Sequence, residues 1–391
     1  MPRSGVVPLL GRPVTITGLG MCVPEKILTN KDLAASLDTS DEWIQQRTGI
    51  RERRIAKPGQ SSSDLGIVAA REALADAGLP PEDIDLVITA TLTPDQLTPS
   101  TASRVAYLAE CVNAGAFDLS AGCTGFIFGL AMAAGAIAAG LHEKVLVVGA
   151  EIFSNFLDWD DRSTAVLFGD GAGAAVVSEA SSPDSGRILG FDVGGDGSGL
   201  DILSIPGGGS RMPASHETVE TRQHCVKMKG AEVYKFATRV VAPCARRVLE
   251  RCGRSVEDID LFIPHQANLR IIEAGAKNMG IPESKIYTNL QRYGNTSGAS
   301  IPLCLVEARA EGRLKVGDLV LLMGFGAGLT WGACLLEWGR GSGATLTSGA
   351  TLTDGAALPR GAALADGADP RGPGNVQGGH GGHDVFRDKE G

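Results

Sequence analysis

One segment of this chain recurs later in the same chain, and that repeat restricts the fold more than any other feature. Residues 70–88, AREALADAGLPPEDIDLVI, align without a gap on residues 245–263, ARRVLERCGRSVEDIDLFI, at an offset of 175. Ala70, Arg71, Leu74 and Gly78 recur as Ala245, Arg246, Leu249 and Gly253, and the run EDIDL appears in both copies. At the same offset Val145, Leu146 and Gly149 fall on Val320, Leu321 and Gly324, so the duplication covers more than one element. In each copy an amphipathic helix stops at a glycine and a short apolar run follows, the order expected of helices packed on a largely buried sheet. Two such copies predict an internally duplicated α/β fold, either five-layered α/β/α/β/α or two fused α/β domains. The halves are expected over 12–180 and 181–339, with a short extension at 1–11.

The offset also sets Cys123 opposite Gly298. AGCTGFIFGLAMA and TSGASIPLCLVEA both read as a small-residue turn feeding an apolar helix, and a pseudo-twofold would bring the two helix starts together. The stretch Leu119–Leu141 carries no charge, but its five glycines and seven alanines suit a helix buried in a protein core better than a membrane span. Hydrophobic residues at 43% and charged residues at 21% describe an ordinary globular chain. A net charge of -9 runs against the basic bias of nucleic-acid binders, so an acidic partner would need a local basic patch. The eight cysteines include no C-x-x-C pair, which argues against a zinc site or a redox dithiol and for a reducing, cytoplasmic setting. The N-terminal MPRSGVVPLLGRP is too short and too broken by proline for a signal peptide. Beyond Arg340, glycines at 343, 349, 355, 361 and 367 alternate with leucines at 346, 352, 358 and 364, a composition that reads as a flexible tail over 340–391.

Three residues stand out for chemistry. Cys123 opens a helix, where unpaired amides and the helix dipole lower a thiol's pKa and make it a nucleophile, although a buried structural cysteine is the blander alternative. His265, in DLFIPHQANLR, ends the apolar run of the second copy, the end of a strand where α/β folds place their sites. Asn295, in YGNTSGAS, precedes the second helix, where it could simply cap it. GDGAGA at 169–174 has the wrong spacing and the wrong following element for a dinucleotide loop and reads as a tight turn. His216, His224 and Cys225 match no standard metal-site spacing.

AGCTGF, PHQAN and GNTSGASIP, with DEWIQQRTGIRERR and LFGDGAGAAVV, resemble the β-ketoacyl-[acyl-carrier-protein] synthase III family of thiolase-like condensing enzymes over about residues 12 to 338. The resemblance implies the five-layered thiolase-like fold and a Cys-His-Asn triad of Cys123, His265 and Asn295. It implies a homodimer that attacks an acyl-CoA primer with Cys123, then condenses the stored acyl group with malonyl-[acyl-carrier-protein] as CO2 leaves, without metal or other cofactor. It also assigns the oxyanion donors to the backbone N–H groups of Cys123 and of Ala327 in GFGAG. Thr39, Trp43, Arg47, Arg162 and Asn268 become CoA contacts, with Trp43 and Arg162 gripping the adenine. Lys235, Arg270 and Lys277 become a docking face for the carrier protein, and Thr98 a gate of the acyl pocket, smaller than the phenylalanine of some relatives. A starter enzyme or acyltransferase of natural-product assembly would keep the same fold. A Cys-His-Asn hydrolase would need no CoA grip, and a non-catalytic homologue would not need the triad.

Overall fold

The computed structural model describes residues 11–339 together with 350–351. One sheet takes β1 (Val14–Val23), β2 (Leu86–Ala90), β3 (Gly115–Leu119), β4 (Lys144–Glu151) and β5 (Gly171–Glu179) in the order β1-β5-β4-β2-β3. A second takes β6 (Gly186–Gly195), β7 (Leu261–Pro264), β8 (Leu319–Gly326) and β9 (Thr330–Trp338) in the order β7-β8-β9-β6. In the first, β2 runs parallel to β4, and β4-β5 and β5-β1 are antiparallel. In the second, β7 runs parallel to β8, and β8-β9 and β9-β6 are antiparallel. The same connectivity is used twice, and the first sheet adds β3 beside β2.

The principal helices are α1 (Asp41–Thr48), α2 (Ser62–Ala77), α3 (Thr101–Leu108), α4 (Gly125–Ala138), α5 (Gly230–Arg251), α6 (Leu269–Met279) and α7 (Ser300–Ala310). Strands buried on both faces carry unbroken apolar runs, and alternation along each strand sends successive side chains to opposite layers. On β8, Val320 and Leu322 join Ile127 and Leu130 of α4 and Ile301 and Leu305 of α7 in a central core. Leu319, Leu321 and Met323 point the other way, into a core shared with Val241, Val248 and Ile271 of α5 and α6. On β4 the split is the same: Val147 faces α4, and Val148 faces α2. The layers are therefore α2 and α3, the first sheet, α4 and α7, the second sheet, then α5 and α6, the five-layered arrangement of the two expected.

The uncharged stretch Leu119–Leu141 supplies β3's last residue, the nucleophile turn and α4, whose Phe126, Ile127 and Leu130 are fully buried between the sheets. Among the described residues no helix is long and apolar enough to cross a membrane. GDGAGA departs from the tight turn expected of it, because Gly171–Ala174 already belong to β5. Their smallness has a packing reason: a Cβ on Gly173 would lie 2.7 Å from Pro302 of α7. Most of the expected tail lies outside the described residues; Ala350–Thr351 pair in parallel with Cys22–Val23 of β1.

Each helix of the central layer is preceded by one turn of 3-10 helix, Gly122–Thr124 before α4 and Ser297–Ala299 before α7, again at the 175-residue offset. The two turns touch each other, as the pseudo-twofold requires.

On the outer face, glycines set how closely α2 approaches β1. A Cβ on Gly20 would fall 2.1 Å from the Ala69 carbonyl oxygen, a backbone atom that cannot rotate away. The same contact carries hydrogen bonds from Leu19 N–H to Asp76 and from Met21 N–H to Glu72. Gly20→Ala is expected to lower unfolding stability by about 1–3 kcal/mol or more, as forced overpacking does. An unchanged denaturation midpoint would show that this helix is free to shift.

Candidate active site

Cys123 sits in the turn between β3 and α4 because its neighbours are glycines. Gly122 has φ +61, in the left-handed region, and a Cβ there would meet the Ala327 carbonyl oxygen at 2.5 Å. A Cβ on Gly326 would lie 2.5 Å from the Cys123 nitrogen. The GFGAG segment that ends β8 and leads out of it can therefore press directly on the nucleophile turn. Thr330 clamps the pair, its hydroxyl 2.9 Å from the Ala121 carbonyl and 3.0 Å from that of Ala327. The N–H groups of Cys123 and Ala327 are both directed at the thiol and favour its anion.

Burial nonetheless wins. Cys123 is 4% exposed, and the loss of solvation, reinforced by the nearby Glu151 carboxylate, pushes its thiol up to about 12 against those donors and Ser297. This corrects the expectation of a thiol acidified by the helix start: burial keeps the sulfur protonated, because desolvation of the anion exceeds what a few dipoles return. His265 follows β7 and is 1% exposed, and burial lowers its pKa to about 3, so the imidazole is neutral. Its Nδ1 lies 2.7 Å from Ser300 Oγ, and its ring meets the edge of Phe325 at 5.6 Å between centroids. Nε2 is left for the cavity. Asn295 is pinned through its backbone, donating to the Leu167 carbonyl and accepting from Gly169 N–H. Its Oδ1 accepts from Ser297 N–H at 2.8 Å, a turn bond made one residue ahead of the cap position of the 3-10 turn, and its Nδ2 is left as a donor. The helix-cap role considered from sequence is not realised, since Thr296 precedes the 3-10 turn and Ala299 precedes α7 as their cap residues; Asn295 lies in the wall of the cavity instead.

Cys123, His265 and Asn295 share the wall of one cavity of about 430 Å³ with Arg47, Asn268 and Arg270. A second cavity of about 220 Å³ meets it at Cys123, Phe168 and Leu203, and is apolar, lined by Leu92, Phe153 and Val226 among others. The thiol thus stands where the two cavities meet, the larger one carrying the charged and polar side chains of Arg47, Arg270, His265 and Asn295 among apolar neighbours.

The other expected residues divide. Arg162 and Arg47 both lie over the Trp43 ring, at 5.1 and 5.9 Å from its centroid. The expected adenine grip is therefore closed in this state, since a ring inserted between two faces needs about 7 Å between them at van der Waals spacing. Thr39 stands nearby with a buried, unpartnered hydroxyl. Asn268 caps α6 and donates to the Arg47 carbonyl. Lys235 on α5 and Lys277 on α6 are exposed, with Arg270 on the cavity rim between them and the thiol. Thr98 is exposed and lines neither cavity of this chain. His224 bonds Thr218, and no group of three or more His, Cys, Asp or Glu side chains among the described residues is placed to hold a metal ion.

Sequence reasoning missed Ser300, which orients the histidine, and Ser297 and Glu151, which lie behind the thiol. Glu151 ends β4, fully buried, and its pKa is raised to about 7 by burial. An acidic residue closing the apolar run KVLVVGAE was a visible signal for it.

Family models for 3-oxoacyl-[acyl-carrier-protein] synthase III match residues 117–197, and for its C-terminal part residues 249–338. A β-ketoacyl-[acyl-carrier-protein] synthase III of Symbiobacterium thermophilum is 55% identical over 330 residues, 84% of this chain and 99% of that protein. One from Caldanaerobacter subterraneus is 54% identical over 83% of this chain and 98% of that protein. Among solved structures, 3-oxoacyl-(acyl carrier protein) synthase III of Pseudomonas aeruginosa superposes with a TM-score of 0.79 at 43% identity, covering 85% of this chain and all of that one. The priming β-ketosynthase of the R1128 polyketide pathway gives 0.77 at 38%, covering 86% of this chain and 99% of that one. The duplicated five-layered fold, the Cys-His-Asn cavity and this likeness over nearly the full length of its relatives agree: the chain belongs to the β-ketoacyl-[acyl-carrier-protein] synthase III family of thiolase-like condensing acyltransferases.

Proposed function

We propose that Cys123, His265 and Asn295 carry the family's decarboxylative condensation in this chain, on the strength of one observation: all three reach a single cavity whose floor presents two backbone donors to the sulfur. The sulfur attacks the thioester carbon of an acyl-CoA, and the carbonyl oxygen becomes an oxyanion received by the N–H groups of Cys123 and Ala327. CoA leaves, and the acyl chain lies in the apolar cavity between Phe153, Phe168 and Val226.

Malonyl-[acyl-carrier-protein] then enters the vacated mouth. As CO2 departs, Nε2–H of His265 and Nδ2–H of Asn295 donate to the malonyl thioester oxygen and hold the enolate. The 2.7 Å contact between Nδ1 and Ser300 Oγ accommodates that assignment: with the hydroxyl donating to Nδ1, the ring proton sits on Nε2. The enolate carbon attacks the acyl-cysteine, giving the 3-oxoacyl carrier thioester. Loss of CO2 itself generates the carbanion, so the scheme uses no metal or cofactor.

Binding follows the same surfaces. Arg47 and Arg270 offer cations to the phosphates of CoA, and Arg162 swings off the indole so that adenine lies between the two faces. Lys235, Arg270 and Lys277 receive an acidic carrier protein. The apolar residues Tyr107 on α3, Val112 in the following turn and Phe117 on the edge strand β3 are exposed, a surface suited to a second copy of the chain. Thr98 lies next to the strongly exposed Leu97, so a gating role for it would act on the partner's pocket across such a dimer. Initiation of fatty acid synthesis is favoured over polyketide priming, because the relatives carrying the first activity's family name reach 55% identity and the priming enzyme 38%. The eight cysteines, none of them in a disulfide, support a cytoplasmic setting.

Cys123→Ala is expected to abolish acylation by acyl-CoA, seen as loss of the mass increment of the intact protein. His265→Ala and Asn295→Ala should still acylate but release CO2 about 100-fold more slowly, the scale of a lost oxyanion donor. Loss of acylation in these two variants would reverse the assignment. Trp43→Ala should raise KM for acyl-CoA about tenfold at nearly constant kcat, from the loss of stacking; an unchanged KM removes Trp43 from the CoA site. Light scattering should give twice the chain mass, and Phe117→Lys should shift it toward the monomer. A monomeric unmodified protein would overturn the dimer.

A further inference from the structure

The scheme above leaves Glu151 unused, although it is the buried carboxyl nearest the reacting sulfur. Its carboxylate accepts hydrogen bonds from Leu92 N–H at 3.1 Å, Thr93 Oγ1 at 2.7 Å and Thr91 Oγ1 at 3.3 Å, all from the segment after β2. Gly298 N–H faces it from the turn before α7. These partners are neutral. The titratable group set against it is Cys123, across the junction of the two helix-start turns. The next carboxyl, Asp170 ahead of β5, is occupied by Ala56 N–H and by the N–H and hydroxyl of Ser154.

Ser297 connects the two groups. Its side chain is fully buried and close enough to both the thiol and the carboxylate to favour the anion of each, yet its Oγ makes no hydrogen bond of regular geometry. A buried hydroxyl without a settled partner is uncommon and calls for a reason. The residue is also held at φ +48, in the left-handed region that serine rarely adopts, by the bond from its N–H to Asn295 Oδ1. The backbone at Ser297 is thereby fixed with its hydroxyl within reach of both groups.

We propose that Ser297 relays the Cys123 thiol proton to Glu151, which holds it for the lifetime of the acyl-enzyme and returns it when condensation expels the thiolate. The inference rests on the acyl-Cys123 reading above. In the first half-reaction the S–H proton passes to Ser297 Oγ as the serine's own proton passes to the Glu151 carboxylate, the sulfur forms its bond to the acyl carbon, and CoA leaves as the thiolate. That thiolate takes a proton from solvent. In the second half-reaction malonate loses CO2, the enolate carbon bonds to the acyl carbon, and the C–S bond breaks toward sulfur. The thiolate then recovers its proton from Glu151 through Ser297. One solvent proton is consumed per turnover, which is the stoichiometry of making neutral CO2 and a CoA thiol from a malonyl carboxylate.

The test follows the carboxyl directly. The protein is acylated with acyl-CoA near pH 8, where a group titrating at about 7 begins ionised, and acylation is confirmed by intact mass while infrared difference spectra are recorded. Acyl-enzyme formation should bring up the carbonyl band of a protonated carboxylic acid, absent in Glu151→Gln. Near pH 6 Glu151 is already protonated, so the band should not change and acylation should slow; the wild-type rate should rise with pH through about 7. Ser297→Ala should acylate at least about tenfold more slowly, the loss expected of a proton-transfer group. A merely electrostatic carboxylate predicts the opposite sign, since removing its charge in Glu151→Gln lowers the thiol's pKa and speeds acylation. Acyl-enzyme that forms without the acid band, or a Ser297→Ala rate equal to wild type, overturns the relay while leaving Cys123 as nucleophile. Failure to acylate at all overturns the Cys123 reading and the relay with it.

Discussion

Backbone packed on backbone is the constraint from which the rest of this protein follows. Three contacts around Cys123 leave no room for a Cβ: Gly122 against Ala327, Gly326 against the Cys123 nitrogen, and Gly149 against the Gly298 carbonyl at 2.4 Å. Each joins an element of one half to an element of the other. Together they bring the starts of α4 and α7 together at the ends of β4 and β8. Close approach serves the chemistry as well as the packing, since backbone N–H groups reach the sulfur only when no side chain intervenes.

The same closeness dictates the electrostatics. A site sealed by packed backbone is poorly solvated, and charged forms are penalised wherever they appear: the thiol and the Glu151 carboxyl are pushed up, the imidazole down. The resting site is therefore a neutral thiol beside a neutral imidazole, not an ion pair. Neutral His265 suits the donor role proposed for it in decarboxylation, and burial makes each hydrogen bond to a developing oxyanion stronger than it would be in water. The cost is a sulfur that must lose its proton as it reacts, and this makes the hydroxyl and carboxyl behind it consequential.

Much of the architecture was legible because it is written twice. A repeat with constant offset predicts matched elements, and the elements obey it to the residue at the two 3-10 turns and at β4 and β8. Cys123, His265 and Asn295 were legible because nucleophile, imidazole and amide each stand beside small or turn-forming residues at the ends of apolar runs. Glu151 and Ser297 were not, because their meaning depends on the partner each faces across the duplication. The lowered thiol pKa was misjudged for a related reason: helix-start dipoles are local and readable, whereas desolvation is a sum over everything packed around the sulfur. Trp43 and Arg162 were expected as two open faces, and only their placement shows them stacked on each other.

By itself the sequence determined the duplicated α/β plan and the positions of Cys123, His265 and Asn295 at element ends, since periodicity, glycine placement and repeat offset are properties of the chain read in order. The tertiary structure decided which of those ends meet, how deeply they are buried, and which residue in a run of polar neighbours faces the sulfur. Those are distances between segments far apart in the chain, set by how two sheets and two central helices close on one another.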